Sequence, residues 1–179
     1  GRTPGGDPAL GVETPVTSPE VNLASGIVLV DYGDRWKYND QNRNLGTAWR
    51  RTTYNDASWK SGPGLLGLES SALPDPGIRT GIKKGSQLCY YFRKKFTYSG
   101  DPSEVTLTID QIVDDGAVYY LNGAEVGRSR MPGGTVSFTT RTSATVSNAT
   151  EEKGVVTIGP GKLKNGSNLL AVEVHQTNT

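Results

Sequence analysis

Apolar and polar side chains alternate along several short segments of this chain, which is the pattern of half-buried β-strands. In residues 88–98 large apolar side chains recur at alternate positions, and Cys89 falls on the opposite face. In residues 169–175 Glu173 and His175 likewise fall opposite the aliphatic side chains. Alternation or a short apolar run predicts further strands at residues 27–30, 105–109, 136–138 and 155–158.

Turn signals separate these segments and complete the prediction of an all-β protein. The pair Asn122–Gly123 joins two β-prone runs, and it suits a type I′ hairpin turn because both residues must adopt positive φ. Asn165–Gly166 marks a second turn. The chain contains 23 Gly and 10 Pro, and almost none of it shows a helical period. We therefore predict a two-sheet antiparallel β-sandwich with its sheets about 10 Å apart.

The first part of the chain lacks this alternation. Residues 1 to about 25 are interrupted by several prolines, including Pro15 and Pro19, so we expect a linker or extended tail there. Residues 26–179 form the predicted sandwich module. The start shows no recognisable signal peptide, so we expect the chain to begin inside a longer, multidomain precursor.

The net charge and the cysteine content exclude several kinds of partner and of cross-link. The net charge of +1 predicts neither a nucleic-acid partner nor a membrane surface. The clusters Arg50–Arg51 and Arg93–Lys94–Lys95 are interpreted as solvated faces rather than phosphate sites. Cys89 is the only cysteine, so an internal disulfide is excluded and a small buried apolar residue is expected. No apolar run approaches the roughly 18 residues of a membrane span.

Four segments, in their order along the chain, resemble the galactose-binding-like β-sandwich superfamily, whose strands form a jelly roll. The likeness is strongest to jelly-roll modules of large secreted bacterial proteins and extends to the sugar-binding domain of β-galactosidase and β-glucuronidase enzymes. It covers roughly residues 27–176. The segments are Asp56–Trp59, Tyr91–Phe96, Asp114–Val126 and Gly166–Gln176.

The resemblance implies a non-catalytic accessory module, secreted or displayed at the cell surface, that binds a polysaccharide or other glycan through its loops. Neighbouring domains of the parent protein are implied as further partners. Family members usually continue beyond the His175–Gln176 step into another strand. That strand is expected to lie outside the chain, or to be replaced by the linker or by another chain.

Sugar binding requires flat aromatic faces together with fixed polar groups. The aromatic candidates in or beside loops are Trp36, Tyr38, Trp49 and Tyr54, with a role in the core or in a lid as the alternative. Two arginines, Arg128 and Arg130, follow the hairpin at alternate positions. They are candidates for forked hydrogen bonds to hydroxyls or uronate groups, with plain surface charge as the alternative.

Asp114 and Asp115 are the best carboxylate pair in the sequence. On a strand their side chains point to opposite faces, which prevents them from acting as a glycosidase acid and base. In a turn they are candidate calcium ligands, with stabilisation of the turn as the alternative. No other cofactor is predicted.

His175 is the only histidine and ends an apolar strand, so we expect a structural hydrogen bond there. No Gly-x-Ser-x-Gly motif accompanies it, and Cys89 with His175 supplies too few ligands for a closed zinc site. We predict a non-catalytic glycan-binding module. The rival hypothesis is a structural or adhesive module that contacts proteins and has no sugar site.

Overall fold

The computed structural model describes residues 16–69 and 71–177 and shows an all-β sandwich, as predicted. The described residues contain no α-helix, only two single 3-10 turns at Ala48–Arg50 and Pro102–Glu104. No helix among the described residues is long and apolar enough to span a membrane. The strands are β1 (Val16–Leu23), β2 (Val28–Val30), β3 (Arg35–Asn39), β4 (Lys60–Pro63), β5 (Leu66–Gly67), β6 (Thr80–Gly81), β7 (Cys89–Tyr98), β8 (Leu107–Asp114), β9 (Gly116–Leu121), β10 (Ala124–Ser129), β11 (Glu151–Ile158) and β12 (Gly166–His175).

The strands form two sheets. In the first sheet the order is β11-β8-β1-β5-β6, and β2 pairs with β1. In the second sheet the order is β10-β9-β12-β7-β3-β4. The pairs are antiparallel except for β5 with β6.

The expectation of a linker over residues 1 to about 25 is wrong for residues 16–23, which form β1 at the centre of the first sheet. This strand pairs with β8 along its whole length, from Val16 opposite Asp114 to Leu23 opposite Leu107. Pro19 lies between the positions that pair with β5 and those that pair with β2. A proline is tolerated there because one side of the strand lacks a continuous partner. Residues 1–15 lie outside the described range.

The core between the sheets is built from the alternating side chains that the sequence predicted. Phe92 of β7, Val172 of β12 and Tyr119 of β9 meet Ile109 of β8 and other residues of the first sheet. The Asn122–Gly123 hairpin is confirmed, with φ of 53° and 92° at its two turn residues. The segment 136–138 is not a strand, which corrects that prediction.

The second sheet is also covered on the face turned away from the first sheet. Side chains on that face pack with two loop segments, 45–59 and 131–138, into a second apolar cluster. We call this group the outer cluster. Its buried members are Trp49, Trp59, Cys89, Tyr91, Val118, Tyr120, Leu169 and Ala171.

Candidate functional site

The pairing of β7, β12 and β9 places three rows of side chains across the covered face of the second sheet. His175 lies beside Cys89, and Glu173 lies beside Tyr91 in the next row. In the third row Ala171 lies beside Tyr120 on its β9 side. Because alternate residues of a strand share a face, all of these side chains point toward the two covering loops.

Arg93 holds one of these loops against the sheet. Its side chain is completely buried, and its Nε donates to Asp56 Oδ2 at 2.7 Å. The guanidinium also donates to the backbone carbonyls of Trp49, Arg51 (3.0 Å) and Tyr54 (3.4 Å). A buried arginine is costly unless its donors are satisfied, and here the loop supplies the acceptors. The interpretation of Arg93 as part of a solvated cluster is therefore wrong.

A cleft of about 210 Å³ opens between the two loops above this face. The sheet contributes Tyr91 and Glu173, and the first loop contributes Arg50 and the edge of Trp49. The second loop contributes Phe138, which is partly exposed. Exposed polar residues complete the rim, namely Asn44, Thr47 and Ser137. The cleft thus combines a carboxylate, a guanidinium and an aromatic face.

Glu173 is the most deeply set charged group of the cleft, with a side chain that is 8% exposed. Its Oε1 accepts a hydrogen bond from the Tyr120 hydroxyl at 2.6 Å. Burial, reinforced by the Glu173 charge, raises the pKa of Tyr120, so this hydroxyl stays protonated and remains a donor. The Arg50 guanidinium lies over the Tyr120 ring, 4.5 Å from its centroid. The carboxylate is therefore fixed in one orientation before any ligand arrives.

Cys89, Glu173 and His175 converge beneath the cleft. His175 Nε2 lies 3.7 Å from Cys89 Sγ and 3.4 Å from Glu173 Oε2. Cys89 Sγ lies 4.0 Å from the same carboxylate oxygen. Burial, with a smaller contribution from the Glu173 charge, raises the pKa of the Cys89 thiol well above its usual value. The predicted structural hydrogen bond of His175 is confirmed, because its Nδ1 lies 2.7 Å from the Thr140 carbonyl oxygen.

Sequence reasoning identified Cys89 and His175 separately but did not place them together. It considered these two residues as zinc ligands and did not add Glu173, which the structure places beside both. The signal was partly present, because Glu173 and His175 share one face of a predicted strand. The pairing of β7 with β12, which brings Cys89 beside them, cannot be derived from periodicity.

The aromatic residues proposed as sugar platforms belong mainly to the interior. Trp36, at 1% exposure, and Tyr38 lie in the core between the sheets, so the prediction of exposed faces is wrong for both. Trp49 is also 1% exposed and packs against Tyr91, with ring centroids 4.7 Å apart. Tyr54 is partly buried against Trp59. The alternative that placed these residues in the core or in a lid describes them better.

Arg128 and Arg130 do not share an open face, because β10 ends at Ser129 and Arg130 has a φ of 52°. Arg128 pairs with Glu125 and donates to the Gly134 carbonyl at 2.8 Å. Arg130 pairs with Glu152 at 2.7 Å and donates to the Val113 carbonyl at 2.9 Å. Both guanidinium groups hold parts of the protein together, and neither lines the cleft above Glu173.

Asp114 and Asp115 are both buried at the junction of β8 and β9. The two Asp115 oxygens accept from the backbone N–H groups of Val146 (2.7 Å) and Thr177 (2.9 Å). Among residues 16–69 and 71–177, neither aspartate belongs to a cluster of three potential metal-ligating side chains. The alternative role of stabilising the chain at this junction fits these contacts better than calcium binding.

Three other clefts on the described surface are larger, at about 330, 380 and 270 Å³. The first lies over β3 and β7 and is bordered by Arg35, Lys37 and Lys95. Lys94, which also borders it, pairs with Asp34 at 3.1 Å. The first two contain no carboxylate as deeply buried as Glu173. The third contains the buried Asp40, but this carboxylate is already paired with Lys60 at 3.0 Å. We therefore regard the cleft above Glu173 as the candidate site.

Comparisons with known proteins give distant structural similarity without a family. No protein-family model matches this chain, and no curated protein matches it. Among solved structures, the chain is similar to a β-glucuronidase from glycoside hydrolase family 2. The match has a TM-score of 0.47 and 17% sequence identity, and it covers 89% of this chain but 14% of that enzyme. Similarity at this level assigns neither a superfamily nor an activity to the chain.

Proposed function

We propose that this protein is a non-catalytic module of a larger secreted protein and that it binds carbohydrate in the cleft above Glu173. The observation that carries the proposal is the fixed, deeply set Glu173 carboxylate below an opening bordered by Arg50 and Phe138. Sugars present hydroxyl groups around the edge of a ring and C–H groups on its faces. The cleft offers an acceptor, a forked donor and an aromatic surface for these features.

The cleft is held in shape by bonds within the protein. Arg93 holds the carbonyls that flank Arg50, and the Tyr120 hydroxyl holds Glu173. A site that is already ordered loses less conformational entropy when a ligand binds. The volume of about 210 Å³ suits a single sugar residue better than an extended oligosaccharide.

The carboxylate content of the cleft favours binding over hydrolysis. Glycoside hydrolysis ordinarily needs two carboxyl groups on opposite sides of the scissile bond, roughly 5 to 9 Å apart. Glu173 is the carboxylate that lines this cleft among the described residues. Its second oxygen faces His175 and Cys89 rather than another acid.

The test is a glycan array followed by calorimetry on the best ligand. Arg50→Ala and Phe138→Ala should each weaken binding by about tenfold or more, which corresponds to roughly 1.4 kcal/mol. Arg79→Ala and Ile27→Ala are the controls, because the first removes an exposed arginine and the second an exposed apolar side chain outside the lining of the cleft. The controls should bind like the unmodified protein.

The proposal would be contradicted if the unmodified protein bound no glycan. It would also be contradicted if the variants and the controls lost the same amount of glycan affinity. The rival hypothesis would then gain, namely a structural or adhesive module that contacts proteins. Its supporting observation is the exposed apolar pair at the β1–β2 hairpin, with Ile27 58% and Val28 46% exposed.

A further inference from the structure

We propose that Cys89, Glu173 and His175 form a site for one transition-metal ion of the zinc class. The three residues come from neighbouring strands of the second sheet, and all three are buried. This proposal is independent of carbohydrate binding, although Glu173 contributes to both sites.

The distances among the three donor atoms fit a shared ion. Typical zinc bonds to sulfur, nitrogen and oxygen in tetrahedral geometry place the ligand atoms about 3.3 to 3.6 Å from one another. The observed separations are 3.4 Å for nitrogen to oxygen, 3.7 Å for nitrogen to sulfur and 4.0 Å for sulfur to oxygen. Shifts of a few tenths of an ångström would therefore close the site around an ion.

The histidine is oriented as a ligand. Its Nδ1 faces the Thr140 carbonyl, which only accepts hydrogen bonds, so Nδ1 carries the proton of the neutral ring. The lone pair is then on Nε2, the atom that faces both the thiol and the carboxylate. Metal-bound histidines characteristically donate their other N–H to a carbonyl or carboxylate in this way.

The same arrangement argues against a cysteine nucleophile. In a catalytic triad the thiol and the acid contact different ring nitrogens, so that the acid orients the base. Here the acid and the thiol approach the same nitrogen, and the other nitrogen faces a backbone carbonyl. Cys89 is also only 1% exposed, which keeps a substrate away from its sulfur.

Charge balance favours a divalent ion with affinity for sulfur. A neutral imidazole, a carboxylate and a thiolate together carry two negative charges, which one divalent cation neutralises. The Cys89 thiol releases its proton to solvent when the metal–sulfur bond forms. Calcium and magnesium prefer sites made only of oxygen, whereas this mixture of sulfur, nitrogen and oxygen is typical of zinc.

The fourth position lies toward the cleft if an ion binds here. Glu173 belongs both to the donor group and to the lining of the cleft, and Tyr91, which lies beside Glu173 in the sheet, lines the cleft as well. Three protein donors with one remaining position leave room for water or for an oxygen of a bound ligand. We therefore expect the metal to remain accessible to small chelators.

The experiment uses the chain without a histidine tag, treated with a chelator and then titrated with Co²⁺. Cobalt reports its ligands by absorption, and a thiolate ligand produces a charge-transfer band in the near ultraviolet. We expect this band to saturate at one Co²⁺ per chain and to disappear on addition of Zn²⁺. The midpoint of thermal unfolding should also rise with the metal, because the ion binds the folded state.

Two conservative variants test the assignment of the ligands. Cys89→Ser should abolish the charge-transfer band, and Glu173→Gln should weaken Co²⁺ binding by at least about tenfold, or 1.4 kcal/mol. The control for the second is Glu152→Gln, since that glutamate pairs with Arg130 elsewhere on the sandwich. Circular dichroism identifies any variant that fails to fold. If one variant is unfolded, the folded one tests the assignment of the ligands.

A folded, unmodified chain with neither a charge-transfer band nor a shift of its midpoint would overturn the proposal. A band that persists in folded Cys89→Ser would do so as well. The carbohydrate proposal is tested separately from the metal proposal. Arg50→Ala and Phe138→Ala should lose glycan binding and keep the cobalt spectrum.

Discussion

The two faces of the second sheet are both buried but are built by different means. The inner face presents apolar and aromatic side chains, such as Phe92 and Val172, to the first sheet. The outer face buries Arg93, Glu173 and His175 among aromatic rings beneath two loops. Apolar packing tolerates exchanges that conserve volume, whereas each buried polar group requires a partner in a defined place.

This difference indicates where stability and where function reside. The inner face stabilises the sandwich through the area it removes from water. The outer face places charged groups where their burial is costly, and a sheet needs no such groups in order to fold. Arg93 fixes the position of a loop, and Glu173 supplies the carboxylate of the cleft. The proposed glycan binding therefore depends on the outer face.

The largest expected effect comes from the inner face. Phe92→Ala removes a ring that is 1% exposed, and it should lower the free energy of unfolding by about 3 to 5 kcal/mol. Urea denaturation measures this loss. Since both sheets contact the ring, the whole sandwich should unfold in one transition at lower urea concentration. A loss below about 1 kcal/mol would mean that the site collapses around the deletion.

A smaller and more local effect is expected from Arg93→Met on the outer face. The substitution keeps the apolar stem but leaves Asp56 and three loop carbonyls without their donor. We expect a loss of about 2 to 3 kcal/mol, because the Asp56 side chain is 16% exposed and water partly replaces the guanidinium. Denaturation measures the stability, and limited proteolysis reports on residues 44–56.

The matched control is Lys95→Met, an exposed cation two residues further along the same strand and face. It should leave both stability and proteolysis unchanged. Glycan binding should fall sharply in Arg93→Met and remain intact in Lys95→Met. An Arg93→Met protein that keeps its loop protected would show that apolar contacts of Trp49 hold the loop without the arginine.

The inner face could be predicted from the sequence, whereas much of the outer face could not. Alternation in residues 88–98 and 169–175 assigned the correct side chains to the core, and Asn122–Gly123 fixed a hairpin. These signals are local, because strand periodicity and turn chemistry depend on a few adjacent residues. The β1 strand was missed because Pro19 and the prolines that precede it suggested a linker, although the pairing of β1 with β8 tolerates Pro19.

Outer-face residues depend on contacts between distant segments. Arg93 looks like a surface cation within Arg93–Lys94–Lys95, and its burial arises from a loop more than thirty residues away in sequence. Trp49 looks like an exposed loop aromatic until that loop folds onto Tyr91. Composition and periodicity contain no information about which loop covers which strand. Consequently, the sequence predicted that loops would form the site, and of the aromatic and arginine candidates Trp49 alone lines the cleft.

The smallest expected effect distinguishes the cleft from its surroundings. Arg128→Ala removes the pairing with Glu125, a partly exposed contact, and the donors to the 132–134 backbone. Exposed ion pairs contribute little, so we expect a loss below about 1 kcal/mol. Affinity for the glycan should change less than about twofold, since Arg128 does not line the cleft. Calorimetry on Arg128→Ala and Arg50→Ala compares the glycan affinities of the two variants. A strong loss of affinity in Arg128→Ala would mean that the backbone at 132–134 sets the position of Phe138.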